Sequence, residues 1–142
     1  DPNYKPGESD DKPEQAPDVT RNKREFTALI RTEIFRFLRP LAQENYAAAV
    51  ASLGASAWKA DALAAALDPY FEAHERIRLD PEARNGRHTY VDATPTSWRV
   101  SQVLVDPEEL NDWQAQFTVD VAQAREDGKP TLVLLSVAPV VE

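Results

Sequence analysis

The stretch WRVSQVLVDPEELNDWQAQFTVDV, residues 98–121, decides the fold class. In its second half apolar and polar residues alternate, and the apolar positions are Trp113, Ala115, Phe117, Val119 and Val121. A period of two is typical of a strand with one face on a core and one in water. The first half alternates from Trp98 onward and ends at an Asp106-Pro107 turn. We therefore expect two antiparallel strands here.

The sequence after this stretch predicts one more strand, residues 131–141, following a turn at Asp127 and Gly128. The centre of this strand is apolar on both faces. Such a strand is either central and covered on both sides, or carries an interface on its outer face. The predicted interface residues, which would also form the contact of a homodimer, are Leu132, Val133, Leu134 and Leu135.

Before residue 89 the apolar period is 3.6, which is typical of helices. Asn22 and Glu25 have the spacing of a capping box and predict a helix start. Pro40 predicts a kink or restart near residues 36–40, with the helix continuing to Gly54. The apolar stripe of this helix is Phe26, Leu29, Ile30, Ile34, Phe37, Leu38 and Leu41.

Two further helical pieces are expected downstream, one opening at Ser56 and one at Asp68 and Pro69. The third piece is predicted to present Tyr70, Phe71, His74 and Ile77 on one face. Helices followed by antiparallel strands predict an α+β fold, with N-terminal helices packed on an antiparallel sheet of three to five strands.

Composition excludes several classes of protein. The chain has 142 residues, 16 basic against 24 acidic, and no cysteine or methionine. Without cysteine there is no disulfide, thiolate nucleophile or cysteine-based zinc site. No apolar run is long enough to span a membrane, and we expect a cytoplasmic protein. Because the sequence starts at Asp1 and lacks methionine, we also expect a fragment or processed form of a longer chain.

The acidic charge is unevenly distributed. Residues 1–20 hold four prolines and six acids against two lysines, which predicts a disordered, acidic and proline-rich linker. Residues 21–142 are expected to form a single α+β domain. Four arginines of the first helix could contact a nucleic acid or a partner, although a solvated helix face would look the same: Arg24, Arg31, Arg36 and Arg39.

Motifs for catalysis are missing. The four glycines, at positions 7, 54, 86 and 128, are too far apart for a P-loop or a dinucleotide-binding loop. His74 and His88 are the only histidines, so we predict no metal site. The weak catalytic candidates are His74, Tyr70 and Asp120, around a pocket between helices and sheet, with Asp92, Asp106 and Asp120 as possible partners of His74.

Several blocks of sequence occur in a familiar order: residues 22–36, Trp58, residues 68–77 and 80–84, residues 98–107 and residues 111–121. Together they resemble the DUF3516 region found at the C-terminal end of DEAD/DEAH-box helicases. The chain departs from that pattern at residues 78–80, where the family has a glycine-rich stretch, and at Asn85, where a glycine is expected.

The resemblance implies that the parent chain is an ATP-dependent superfamily 2 helicase, with ATP and Mg²⁺ bound by motor domains upstream and no cofactor in this segment. This domain would then be a non-catalytic accessory domain that contacts the motor or an RNA or DNA. Two alternatives stay open: a small-molecule-binding or enzymatic domain with a pocket near His74, and a dimerisation module. By analogy, the order of elements is similar to the cone-shaped nuclear-transport-factor-2-like fold.

Overall fold

The computed structural model of the chain describes residues 18–54 and 56–141. Its helices are α1 (Lys23–Ala42), α2 (Tyr46–Ser52), α3 (Ala60–Ala73) and α4 (Val121–Asp127), with a 3-10 turn at Gly86–His88. Its strands are β1 (Thr89–Ala93), β2 (Ser97–Val103), β3 (Trp113–Asp120) and β4 (Leu132–Pro139). The predicted α+β class, with N-terminal helices and an antiparallel sheet of three to five strands, is confirmed.

The start of α1 follows the predicted capping geometry, since the side chain of Asn22 accepts the backbone N–H of Glu25 at 3.0 Å. The predicted restart near residues 36–40 is wrong, because α1 continues through Pro40 to Ala42. Pro40 has no N–H, so it removes one hydrogen bond of the helix, two residues before the helix ends at Ala42. The restart comes at α2, where Asn45 accepts the N–H of Ala48 at 3.2 Å.

The next helix starts later than expected, at Ala60 instead of Ser56. Ser56 Oγ accepts the backbone N–H of Trp58 at 3.0 Å, which holds this segment in a turn. The indole N–H of Trp58 donates to the carbonyl of Leu134 in β4 at 2.9 Å. Residues 56–59 therefore anchor the helical layer to the sheet before α3 begins.

The predicted break at Asp68 and Pro69 is also wrong, because α3 runs on to Ala73. Leu63, Leu67 and Tyr70 form one buried stripe that crosses the proline, and this packing outweighs the cost of the missing hydrogen bond. His74 is extended, with φ −133° and ψ 143°. His74 and Ile77 thus lie beyond the end of the helix.

The sheet is an antiparallel meander in the order β1-β2-β3-β4. The helices cover one face of the sheet. The buried side chains of β3 lie on that face, and they alternate along the strand with partly exposed side chains. Phe26 of α1 meets Trp98 of β2 edge-on at 4.9 Å between ring centroids, and Phe37 of α1 meets Phe117 of β3 at 5.8 Å. These aromatic pairs join the two layers.

Strand β3 ends at Asp120, one residue before the last predicted alternating position. The carboxylate of Asp120 accepts the N–H of Gln123 at 3.1 Å and begins α4, a helix that the sequence did not predict. Gly128 ends α4 with φ 75°, a left-handed conformation that glycine adopts at little cost.

Strand β4 pairs with β3 and, within the described residues, lies at the edge of the sheet. Its side chains alternate in burial: Leu132 and Leu134 are 3% and 4% exposed, and Val133 and Leu135 are 46% and 40% exposed. Leu132 and Leu134 belong to the core and cannot form an outer interface. The predicted interface, including the homodimer contact, is reduced to Val133 and Leu135 and stays a prediction.

Most of the predicted linker, residues 1–20, lies outside the described residues. Its last three residues contact the domain: Arg125 Nε donates to Asp18 Oδ2 at 3.2 Å, and Val19 packs against the core. Residues 18–20 therefore contact the domain, while the rest of the predicted linker stays a prediction. None of the described helices has the length and apolar character needed to cross a bilayer.

His88 is buried beside the start of β1, with only 6% of its surface exposed. Burial lowers the pKa of the imidazole, and the charges of Arg87 and Arg78 act in the same direction, against Glu109. In the unfolded chain the same group titrates near pH 6.5. His88 therefore favours the folded state above that pH, and its contribution is lost as pH falls towards the lower folded pKa.

We expect the wild-type chain to lose more free energy of unfolding between pH 7.5 and 5.5 than a His88→Gln variant does. The reason is that unfolding takes up a proton at His88, and one proton limits the extra slope to about 1.4 kcal/mol per pH unit. Urea denaturation at both pH values measures the difference. Equal losses in the two proteins would contradict the prediction.

Candidate functional site

An open groove of about 600 Å³ follows one face of α1 and is closed on one side by the segment before the 3-10 turn. We call it the arginine groove, because all of its charged lining residues are arginines. Its lining residues are Ala28, Arg31, Thr32, Phe35, Arg36, Arg39, Pro81 and Arg84. A smaller cavity of about 260 Å³ shares Phe35, Arg39 and Arg84 with it and adds Leu79.

Arg31 is fixed in place by contacts on three sides. Its Nε donates to Thr89 Oγ1 at 3.2 Å, and its Nη2 donates to the backbone carbonyl of Arg84. The hydroxyl of Thr89 in turn donates to Oε1 of the fully buried Gln102. The guanidinium of Arg31 also lies 5.5 Å from the ring centroid of Phe35. The groove is therefore held to the sheet through Arg31.

The other arginines of the groove differ in their charge partners. Arg36 donates to both carboxylate oxygens of Glu33 at 3.2 Å, an exposed pair within one helical turn. Within residues 18–54 and 56–141, no acidic side chain lies within 4.0 Å of Arg39 or Arg84. These two exposed guanidinium groups give the groove a positive charge that the described residues do not neutralise.

Of the four arginines predicted as contacts, Arg31, Arg36 and Arg39 line the groove. Arg24, on the first turn of α1, is not among the lining residues. Arg84 and Phe35 were missed as groove residues. Phe35 shares the helical face of Arg31 and Arg39 and could have been found by spacing, whereas Arg84 arrives from a separate segment.

A second group of polar residues, the His74 cluster, consists of His74, Asp106, Glu108 and Asp112. His74 Nε2 lies 2.9 Å from Asp112 Oδ1. His74 Nδ1 lies 3.6 Å from Asp106 Oδ2 and 3.6 Å from Glu108 Oε1. The His74 side chain is 2% exposed and that of Asp106 is fully buried, while Glu108 and Asp112 reach solvent.

Asp106 organises the loop between β2 and β3. Its Oδ2 accepts the N–H of Leu110 at 3.1 Å, and its Oδ1 accepts the N–H of Asn111 at 2.8 Å. Burial opposes ionisation, but these backbone hydrogen bonds, together with the nearby His74, lower the pKa of the carboxyl below its ordinary value. Asp106 is therefore a buried carboxylate at neutral pH.

The predicted set of His74, Tyr70 and Asp120 is only partly brought together. Tyr70 packs on His74 with ring centroids 4.9 Å apart, and its hydroxyl donates to the carbonyl of Arg76 at 2.8 Å. Burial, and then the charges of the acidic cluster, raise the pKa of this phenol, so it stays neutral. Asp120 caps α4 at the end of β3 that is opposite the His74 cluster. The length of the strand separates Asp120 from that cluster by about 20 Å.

Among the predicted carboxylate partners of His74, the structure brings Asp106 to it. Asp120 is at the far end of β3, and Asp92 is exposed on β1, opposite Arg99. Asp112 and Glu108 were not among the predicted partners. Neither of the two cavities described above is lined by His74 or Tyr70.

The described residues form a two-layer α+β domain, with helices on one face of an antiparallel meander. The domain carries two candidate sites, the arginine groove and the His74 cluster. The chain belongs to the DUF3516 family, described as a domain of unknown function, whose model matches residues 1–137. That match confirms the resemblance at the level of the domain family and includes the predicted linker. No curated protein and no solved structure matched the chain. The cone-shaped analogy and the helicase parent stay predictions.

Proposed function

We propose that this chain is a non-catalytic accessory domain of an ATP-dependent DEAD/DEAH-box helicase, and that its arginine groove binds the phosphate backbone of the nucleic acid on which the motor acts. Membership of the DUF3516 family supports the first part, since the sequence resembles the region that follows such motors. In this proposal ATP and Mg²⁺ are bound by the motor domains of the same chain.

The observation that carries the second part is the uncompensated charge of Arg39 and Arg84 beside the fixed Arg31. A guanidinium group presents parallel N–H donors that match the oxygens of a phosphate. Phe35 adds an apolar surface between the arginines, and aromatic rings next to basic side chains are common where single strands bind.

The charge of the rest of the chain limits how this groove would work. The net charge of −8 repels a polyanion at a distance, so binding depends on close contact inside the groove. We therefore expect modest affinity in isolation and a strong dependence on salt, because each phosphate contact releases counterions. The motor would supply most of the affinity, and this domain would add to it.

The test is fluorescence anisotropy of the 142-residue chain with labelled single-stranded RNA and DNA at several salt concentrations. We expect the double variant Arg39→Glu/Arg84→Glu to bind at least about tenfold more weakly, with a salt slope smaller by about 1.4, or 0.7 for each lost phosphate contact. The matched control is Arg99→Glu/Lys129→Glu, which makes the same charge change at exposed positions outside the groove.

The two double variants separate groove binding from a general effect of charge. If both weaken binding equally, the groove is not the binding surface. If neither RNA nor DNA binds with a dependence on salt, the nucleic-acid part of the proposal fails.

A further inference from the structure

The smaller of the two cavities adjoins the arginine groove and shares Phe35, Arg39 and Arg84 with it. We call this cavity of about 260 Å³ the Phe35 pocket, and its fourth lining residue is Leu79. Phe35 and Leu79 are partly buried and pack against the core, so their apolar surface is fixed in position. The pocket therefore combines two apolar side chains with two cationic ones.

The volume of the Phe35 pocket limits what it can hold. Pockets for drug-sized ligands usually measure about 300–1,000 Å³, so a pocket of about 260 Å³ accepts one small ring system and not a helix or a folded loop. The arginine groove, with its volume of about 600 Å³, continues from the pocket along α1. A ligand with one ring in the pocket and a chain of further groups in the groove would fill both.

The side of the pocket that does not belong to α1 is fixed by hydrogen bonds. The guanidinium of Arg78 donates to both carboxylate oxygens of Asp80 at 2.8 Å, and to Glu109 in the β2–β3 loop at 2.9 Å. The backbone N–H of Arg84 donates to the carbonyl of Asp80 at 3.0 Å, and the carbonyl of Arg84 accepts the guanidinium of Arg31. A preformed pocket of this kind loses little conformational freedom when a ligand binds.

The acidic residues next to the pocket do not neutralise it. The carboxylates of Asp80 and Glu82 pair with arginines outside the pocket, and in the described part of the chain Arg39 and Arg84 have no acidic partner within 4.0 Å. A ligand that matches the pocket thus carries an apolar ring with a negative charge close to it. A nucleotide unit has this composition, since its base is a planar ring and its phosphate is an anion that guanidinium groups bind.

We propose that the Phe35 pocket holds one unstacked base of a single-stranded nucleic acid, while Arg39 and Arg84 bind the phosphates on either side of that base. This inference rests on the function proposed above and specifies its substrate as a single strand. The guanidinium of Arg31 lies over the Phe35 ring at 5.5 Å, which places a third cation beside the base. An aromatic side chain between cations is common in proteins that bind single strands without reading their sequence.

A duplex cannot use the pocket in the same way. Its bases are paired and stacked inside the helix, and moving one base out of the helix costs free energy that a single strand does not lose. The phosphates of a duplex can still reach the arginines. We therefore expect single strands to bind more tightly than duplexes, and we expect the difference to depend on Phe35.

The test is fluorescence anisotropy of the 142-residue chain with a labelled single strand and with a duplex of the same length. We expect the wild type to bind the single strand at least about fivefold more tightly. Phe35→Leu should weaken binding of the single strand at least about fivefold and change binding of the duplex by less than about twofold. The salt slope should stay the same, because no phosphate contact is lost.

An abasic strand of the same length tests the pocket without any substitution in the protein. It keeps the phosphates and lacks the bases, so the wild type should bind it at least about fivefold more weakly than the normal strand. Phe35→Leu should bind the two strands with similar affinity. Circular dichroism and urea denaturation check that this variant is folded.

The matched control is Phe71→Leu, the same change at a partly buried phenylalanine of α3 that lines neither cavity. Its affinity for the single strand should stay within about twofold of the wild type. The inference is overturned if the wild type binds the abasic strand or the duplex as tightly as the normal single strand, or if the two phenylalanine variants weaken binding equally. In those cases salt-dependent binding that Arg39→Glu/Arg84→Glu weakens would still support the proposed function, whereas the absence of all nucleic-acid binding overturns both.

Discussion

The Phe117→Ala variant is expected to lose about 3–5 kcal/mol of its free energy of unfolding, which is the usual cost of removing a large buried aromatic side chain. Phe117 is fully buried in the middle of β3. Its ring meets Phe37 of α1 edge-on at 5.8 Å, so the substitution removes a direct contact between the two layers. The cavity would lie where the helices and the sheet meet.

Urea denaturation of the wild type and the variant measures this loss. A domain of this size is typically stable by about 5–15 kcal/mol, so the variant should unfold at a clearly lower urea concentration. The control is Thr118→Ala, the next residue of β3, whose side chain lies on the opposite face and is only partly buried. We expect that change to cost less than about 1 kcal/mol. Similar losses at both positions would contradict the layered packing.

Asp106→Ala is expected to have the second largest effect on stability, about 2–5 kcal/mol. It removes the charged acceptor of two partly buried hydrogen bonds, from the N–H groups of Leu110 and Asn111, and a hydrogen bond to a charged group is worth up to about 3 kcal/mol. The tight turn depends on these bonds, because Glu109 and Asn111 have φ values of 59° and 54°, which non-glycine residues adopt only at a cost.

Urea denaturation of the wild type and the variants measures the loss. Asp106→Asn keeps one acceptor oxygen and should fall between the wild type and Asp106→Ala. The control is Asp92→Ala, an exposed aspartate on the outer face of β1, with an expected change within about 0.5 kcal/mol. If Asp106→Ala costs no more than Asp92→Ala, the carboxylate does not hold the loop.

Local patterns were sufficient for the longest elements of the fold. The alternation between Trp113 and Val119 identified β3, and the capping box at Asn22 identified the start of α1, because each pattern reports one element and its exposed and buried faces. Helix α4 was missed because seven residues are too few to show a 3.6-residue period. The continuation of α3 through Pro69 was missed because packing of the buried stripe, and not local propensity, decides it.

The candidate sites also contain residues that a local pattern predicts and residues that only the tertiary fold brings together. Arg31, Arg36 and Arg39 could be found from the sequence because they share one face of a single helix. Arg84 reaches that face only through the tertiary fold. His74 and Asp106 are 32 residues apart and meet because α3 ends beside the β2–β3 loop, and no spacing rule connects two such segments.

The meander order β1-β2-β3-β4 also has a consequence for how the chain folds. Each strand pairs with the next one along the sequence, and α1 to α3 precede the sheet without interrupting it. The strand partners are thus brought together by closing short loops, and a large share of such local contacts favours fast folding. Within the described residues, the sheet therefore needs no strand from a distant part of the chain to complete it.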